Sequence, residues 1–363
     1  MRILFYHEGH AWTGSSRAFA TLARGLSERG HSVTFACPPE TPVEQRLEFG
    51  AYEVLALEAD APAPLAAQRL RHALQERFIQ VVCVHGNREQ MVAASAARLA
   101  ERAAVLRRVP IGEPLALTPR ARFAMRLTAT GFVYGSEEDL HRAPAMPLAR
   151  LAPTVVPLGV SAASYDAVRP VTRASLGVPG TGRLLVCLYA PAGRARAANI
   201  LRVLALLAPR HPELRLALVG PGSDDEDLRM HAAALRITKQ VSFLGERDDQ
   251  QAVLAAADLG WVVATGDDGA YGVLDFLGAR VPVIAERGSI AQLYLPDGIA
   301  GLLLPPGDAH DAAAGVARLL AHEEERAAMG GAGHGRVARD YTDAAMVDAF
   351  ERIAVTASDR ARW

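Results

Sequence analysis

Lysine is almost absent. Lys239 is the only one among 39 lysines and arginines, so any contact with phosphate or carboxylate that commonly falls to lysine is expected to fall to arginine here. Cysteine is nearly as scarce. Cys37, Cys83 and Cys187 stand singly inside apolar runs, which argues against a disulfide framework and a zinc site and for a reducing compartment. No apolar run approaches the roughly 18 residues of a membrane span, and no charged segment followed by an apolar one precedes the first strand-like run, so a cytoplasmic protein is expected. An excess of charge of either sign is also lacking. The net charge of -1 argues against general nucleic-acid binding, and the 50% hydrophobic content argues against disorder. At 363 residues the chain is long enough for two domains of ordinary size.

What is present is an alternation of short apolar runs with amphipathic stretches, the pattern of layered parallel α/β structure. Strands are expected near Ile3–Tyr6, Ser32–Ala36, Tyr52–Ala56, Val81–Val84, Ala104–Arg107 and Gly131–Tyr134, with a helix over Ser16–Ser27 stopped by Gly30. A second series follows at Arg183–Leu188, Arg215–Val219, Val241–Leu244, Leu259–Val263, Val281–Ala285 and Gly301–Leu304. Two doubly wound, Rossmann-like domains are therefore expected, over 1–157 and 181–340. A connector at 158–180 containing Pro170 and Pro179 would act as hinge, and a last helix, within 341–363, would cross back to the first domain. Two such domains would hold ligand in the cleft between their sheet edges.

The stretch Thr265-Gly-Asp267-Asp-Gly-Ala-Tyr-Gly-Val-Leu-Asp275 places two carboxylates eight apart around a glycine-rich turn. Read from residue types, Asp267 lies in a loop, Asp275 lies on the helix, and the amides of Gly269, Ala270, Tyr271 and Gly272 are the helix-terminal donors that attract phosphate. A plain capped helix, with Asp267 or Asp268 as the cap, is the alternative. Asp224–Asp227 reads as the acidic first turn of another helix and not as a metal site.

The second half carries, in order, Leu218-Val-Gly220-Pro-Gly222, Val241-Ser-Phe-Leu-Gly245, Ala255-Ala-Ala-Asp258, the two-carboxylate turn and Asp297-Gly298-Ile-Ala-Gly301-Leu-Leu-Leu-Pro-Pro-Gly307-Asp308. This ordered set resembles family 4 retaining glycosyltransferases of the GT-B fold. The first half matches more loosely, through Gly14-Ser-Ser-Arg17, Val84-His85-Gly86 and Val156-Pro-Leu-Gly159-Val160. The resemblance implies transfer of a sugar from a nucleoside-diphosphate donor to an acceptor hydroxyl with retained configuration. It further implies no metal or other cofactor, a donor side in the second domain and an acceptor side in the first.

Carried over by position, Asp275 would accept from the ribose hydroxyls, and Asp267 would contact the donor sugar and favour its cationic transition state, with Asp268 as the substitute. The family has glutamate at both places, so each carboxylate here is one methylene shorter. Tyr189-Ala190 and Ala195 stand where the family has Gly-Arg and a lysine, and Arg194 and Arg196 are expected to take over the diphosphate. Gly14 reads either as an ordinary turn or as a loop closing on the diphosphate. His85 reads either as a structural hydrogen-bonding residue or as one that orients the donor sugar or acceptor. Pro110 stands where the family has a second histidine, so that contact is either missing or supplied by Arg108, while His10 and Asn87 are expected to line the acceptor side together with the region of His7 and Glu8. Arg120, Arg122 and Arg126, interleaved with Phe123 and Met125, read as a solvated helix, with weak contact to an anionic membrane as the alternative. The altered motifs leave one competing reading: a catalytically degenerate GT-B protein that binds a nucleotide or glycan, or partners an active transferase.

Overall fold

The computed structural model describes residues 1–47, 51–58, 60–146, 148–179, 182–190 and 193–360. The chain divides into two units, one comprising Met1–Leu158 with the C-terminal helix from Asp343, the other Gly159–Thr342.

Among the described residues the first unit holds seven parallel strands: β1 (Arg2–Tyr6), β2 (Ser32–Cys37), β3 (Glu53–Ala56), β4 (Val81–Val84), β5 (Ala104–Val109), β6 (Thr130–Tyr134) and β7 (Thr154–Val155). Their order is β3-β2-β1-β4-β5-β6-β7. Central strands such as β1 and β4 are apolar along almost their whole length because helices cover both faces of the sheet. Leu4, Tyr6, Val82 and Val84 pack with the Ala63–Glu76 and Asn87–Ala100 helices in one core. The C-terminal helix, Asp343–Arg360, brings Phe350 to 5.9 Å from Phe5, ring to ring. Val347 packs so closely on the first helix that a side chain at Gly25 would approach its Cγ2 to 2.5 Å. The first helix runs Gly14–Glu28, two residues longer at its start than its apolar pattern suggests. Thr13 and Ser16 form a reciprocal capping box that moves the helix N-terminus forward.

Among the described residues the second unit holds six parallel strands: β8 (Arg183–Leu188), β9 (Leu214–Val219), β10 (Val241–Phe243), β11 (Leu259–Val262), β12 (Val283–Glu286) and β13 (Gly301–Leu304). Their order is β10-β9-β8-β11-β12-β13. Its core joins Leu185, Cys187, Leu216, Leu218 and Trp261 to the covering helices.

The stretch expected as a connector is bound into this unit. Val171 N–H donates to the Ala252 carbonyl at 3.1 Å, and Arg173 Nε donates to the Ala256 carbonyl at 3.0 Å. Gly180 and Thr181, at the expected boundary, lie outside the described residues. Among the described residues no helix is long and apolar enough to cross a membrane.

Candidate functional site

Doubly wound sheets bind ligands beyond the carboxyl ends of their strands, at the point where the strand order reverses. In the second unit that point lies between β8 and β11, which pair from Leu185–Leu259 to Leu188–Val262. Beyond β11 the chain turns at Gly266, whose φ of +61° is in the region that favours glycine, and enters the Gly266–Gly278 helix. The helix starts one turn earlier than its residue pattern suggested. Its cap is Thr265, extended at φ -117° and ψ 172°, so neither Asp267 nor Asp268 takes that place. Asp267 consequently lies in the first helical turn instead of a loop and is 3% exposed. Gly269 N–H already donates to the Thr265 carbonyl at 3.1 Å, and Ala270, Tyr271 and Gly272 lie further inside the ladder. The amides that precede the ladder are those of Gly266, Asp267 and Asp268. Gly269 has a packing role instead, because a Cβ there would stand 2.4 Å from the Ala264 carbonyl oxygen.

Asp275 lies about 12 Å beyond Asp267 along the helix axis, at about 1.5 Å per residue, and is 2% exposed. Its Oδ1 accepts a hydrogen bond from the Tyr165 hydroxyl. The two arginines expected on the diphosphate are both paired. Arg194 bonds to Asp227 and lies 3.7 Å from Asp225, the residue that caps the Glu226–Ala234 helix. Arg196 Nε lies 3.4 Å from Glu286 Oε2, at the carboxyl end of β12. Among the described residues no three His, Cys, Asp or Glu side chains converge as a metal site would require.

In the first unit the order reverses between β1 and β4, which pair from Ile3–Val81 to Phe5–Cys83. Here a buried carboxylate organises the backbone. Glu89 accepts the amides of Glu8 at 2.9 Å, His85 at 2.7 Å and Gly86 at 2.8 Å, tying the end of β1 to the end of β4. Burial nevertheless holds its pKa above the usual carboxylate range. His85 Nε2 donates to the Ser15 carbonyl at 3.0 Å, and its ring stacks on Phe19 at 3.6 Å between centroids. Its ring thereby holds the buried Gly14 turn that opens the first helix. His7 is buried, neither ring nitrogen has a hydrogen-bond partner among the described residues, and burial lowers its pKa from 6.5 to about 4. His10 and Asn87 are exposed. Arg107 donates to the His85 carbonyl at 3.1 Å, to Asn87 Oδ1 at 2.6 Å and to Gln90 Oε1 at 2.8 Å. Arg108, expected to supply a contact at this strand end, is 2% exposed and belongs to the opposite face of β5, since successive strand residues alternate sides.

Residues 168–336 match the family model described as glycosyl transferases group 1. Over that stretch the chain is similar to the group 1 glycosyl transferases. Over 183 residues, half of its length, it is 26% identical to the lipopolysaccharide core biosynthesis glycosyltransferase LpsE of Rhizobium meliloti, covering 53% of that protein. Over 140 residues it is 31% identical to the D-inositol 3-phosphate glycosyltransferase of Corynebacterium jeikeium, covering 36% of this chain and 33% of the other. The chain thus spans about half or less of the length of these curated relatives. The structure of Anabaena HepE in complex with UDP-glucose superposes with a TM-score of 0.79 over 99% of this chain and 100% of that one, at 17% identity. The fold is GT-B.

Within the matched region Glu286 was given no role from the sequence, and neither was Tyr165 just ahead of it. Glu286 ends an apolar strand, a position where a lone acid signals the ligand edge. Tyr165 gave no local signal, since its partner is 110 residues away. Outside that region Glu89, part of the polar run after His85, and Arg107 were given no role of their own from the sequence. Gly86-Asn-Arg-Glu89 has capping-box spacing, which was the available signal for Glu89.

Proposed function

We propose that this chain moves a hexosyl group from a nucleoside-diphosphate sugar to an acceptor hydroxyl with retained anomeric configuration, in the cytoplasm and without a metal. The observation that carries this reading is the Gly266–Gly278 helix at the β8/β11 reversal point, with Asp267 and Asp275 both buried on it inside the matched glycosyl transferase region. The names of LpsE and the D-inositol 3-phosphate enzyme, and the UDP-glucose held by HepE, support it.

In this reading the amides of Gly266, Asp267 and Asp268 face the diphosphate, where aligned donors stabilise developing negative charge. Arg196 joins them by exchanging Glu286 for phosphate. The bond from the anomeric carbon to the phosphate oxygen breaks and the acceptor oxygen bonds to the same face of that carbon. The acceptor proton passes to the departing phosphate oxygen. Asp267 offsets the positive charge that builds on the sugar ring, and the first unit is the acceptor side, its Gly14 turn held by His85.

The test is calorimetric titration with UDP, GDP, ADP and their glucose or mannose derivatives, followed by donor hydrolysis. Wild type should bind one nucleotide family, release sugar slowly without acceptor, and lose binding at least tenfold in Asp275→Ala. The pairing of Arg194 with Asp225 and Asp227 and of Arg196 with Glu286 favours a second reading, a degenerate protein that binds without turnover. Nucleotide binding with neither hydrolysis nor transfer to simple glycoside acceptors would select it, and no binding at all would remove the transferase.

A further inference from the structure

Tyr165 stands on the short Ala162–Asp166 helix, just after the chain enters the second unit, and donates its hydroxyl to Asp275 Oδ1. Both side chains are buried, Tyr165 at 5% exposure and Asp275 at 2%. The contact is built into the helix that carries Asp275. Gly278, three residues on and therefore on the same helix face, lies directly under the tyrosine ring, and a Cβ there would come within 2.7 Å of Cδ2 and 2.9 Å of Cε2. The next residue, Asp166, fastens the short helix in place. Its carboxylate meets Arg280 at 3.1 Å and lies 3.7 Å from His334 Nε2, while His334 Nδ1 donates to the Gly278 carbonyl at 2.8 Å. Four contacts thus hold one phenol against one carboxylate.

We infer that Tyr165 is a positioning residue for nucleotide recognition, fixing Asp275 so that its carboxylate meets the ribose hydroxyls of the donor. The inference rests on the transferase reading of Asp275. A carboxylate accepts about four hydrogen bonds through two oxygens, and the phenol takes one of those positions, on Oδ1. An aspartate carries its charge one methylene closer to the backbone than a glutamate does. A fixed donor on Oδ1 selects one orientation of that shorter group, and displacement of such a group by about 1 Å costs on the order of a hundredfold in a reacting site. The specificity that follows is for ribose over deoxyribose: a site whose buried polar groups expect a hydroxyl rejects the analogue that lacks it.

The experiment titrates the full chain with UDP, GDP and ADP and, for whichever binds, with its 2′-deoxy and 3′-deoxy counterparts, in wild type, Tyr165→Phe, Asp275→Asn and the double variant. Failure of all three ribonucleotides in wild type would overturn the transferase reading and this inference with it. If one binds, Tyr165→Phe should weaken it about five- to twentyfold, leave the deoxy forms within twofold of wild type, and change nothing further in the Asp275→Asn background. Its melting temperature should stay within a few degrees of wild type, because only the hydroxyl is removed. Equal weakening of ribo and deoxy ligands, unchanged binding, or tighter binding once the hydroxyl is gone would each refute Tyr165 as a positioning residue while leaving the donor site standing.

Discussion

His7 makes the folded first unit sensitive to mild acid, and the size of the effect follows from its burial. In the unfolded chain this imidazole takes a proton near 6.5; in the fold it does so near 4, with desolvation as the main cause and nearby Glu8 opposing it. The folded pKa is the lower of the two, so the unfolded state binds the proton first. Stability is therefore complete above pH 6.5 and falls as pH drops towards 4. At roughly 1.4 kcal/mol per pH unit the loss reaches at most about 3 kcal/mol. Two neighbours bear on that value. Glu89 Oε1 lies 3.9 Å from His7 Nδ1, at the outer limit of an ion pair, and Glu8 is itself held by Arg88 and the Tyr6 hydroxyl. Glu89 titrates with the opposite sign: its folded pKa is raised, so on acidification it takes a proton in the fold before it does so in the unfolded chain, and that stabilises.

The comparison that isolates His7 is wild type against His7→Gln, by urea unfolding read through hydrogen exchange of the β1 and β4 amides at pH values between 7 and 4. That readout reports the first unit alone, which matters in a chain of two units where one global transition is not assured. The glutamine variant should gain on wild type by up to about 3 kcal/mol between pH 6.5 and 4, with Glu89 contributing equally to both. A difference between the two that stays constant across this range would show that His7 does not titrate out of the fold, and the reasoning from burial would fail.

Two further substitutions probe the two sheet edges. Gly269→Ala drives a methyl group to 2.4 Å from the Ala264 carbonyl oxygen and 2.6 Å from Ile290 Cγ2. The helix start must shift, at a cost of about 1–3 kcal/mol. Melting temperature should fall, and nucleotide affinity should drop at least tenfold at a temperature where the variant is still folded; unchanged affinity would mean that the helix start does not face the ligand. Arg107→Met removes the donors that serve the His85 carbonyl, Asn87 and Gln90 inside the fold, so urea unfolding of the first unit should show a loss of roughly 3 kcal/mol. A loss below about 0.5 kcal/mol would mean that those acceptors find other donors.

The strands were legible because each parallel strand, covered on both faces, must be apolar along its length, and such runs stand out from the amphipathic helices between them. Their ends were less so. β7 escaped notice because it is two residues long between Pro153 and Pro157, and β12 begins at Val283 because Pro282 has no amide to place in the ladder. The segment 158–180 has the proline content of a connector, but its tertiary anchors, Tyr165 on Asp275 and Arg173 on the Ala256 carbonyl, are side-chain contacts that composition does not report.

The carboxylate pair shows the same boundary in sharper form. Spacing drew attention to Asp267 and Asp275 because the motif is local, and the family resemblance supplied their expected roles. Assigning Asp267 to a loop failed because glycine residues read as turn, whereas only Gly266 turns here and Gly269 serves to let backbone approach backbone. The pleat decides between Arg107 and Arg108 by a one-residue parity that two adjacent arginines cannot display in a sequence. What sequence withholds, then, is which neighbour each polar residue meets. That choice governs the candidate site: Arg194 and Arg196 look like phosphate ligands until Asp225, Asp227 and Glu286 are beside them, and Asp275 looks like an isolated acid until Tyr165 is. On the proposed function, diphosphate binding exchanges Glu286 for phosphate on Arg196, an ion swap whose cost falls as salt screens the existing pair.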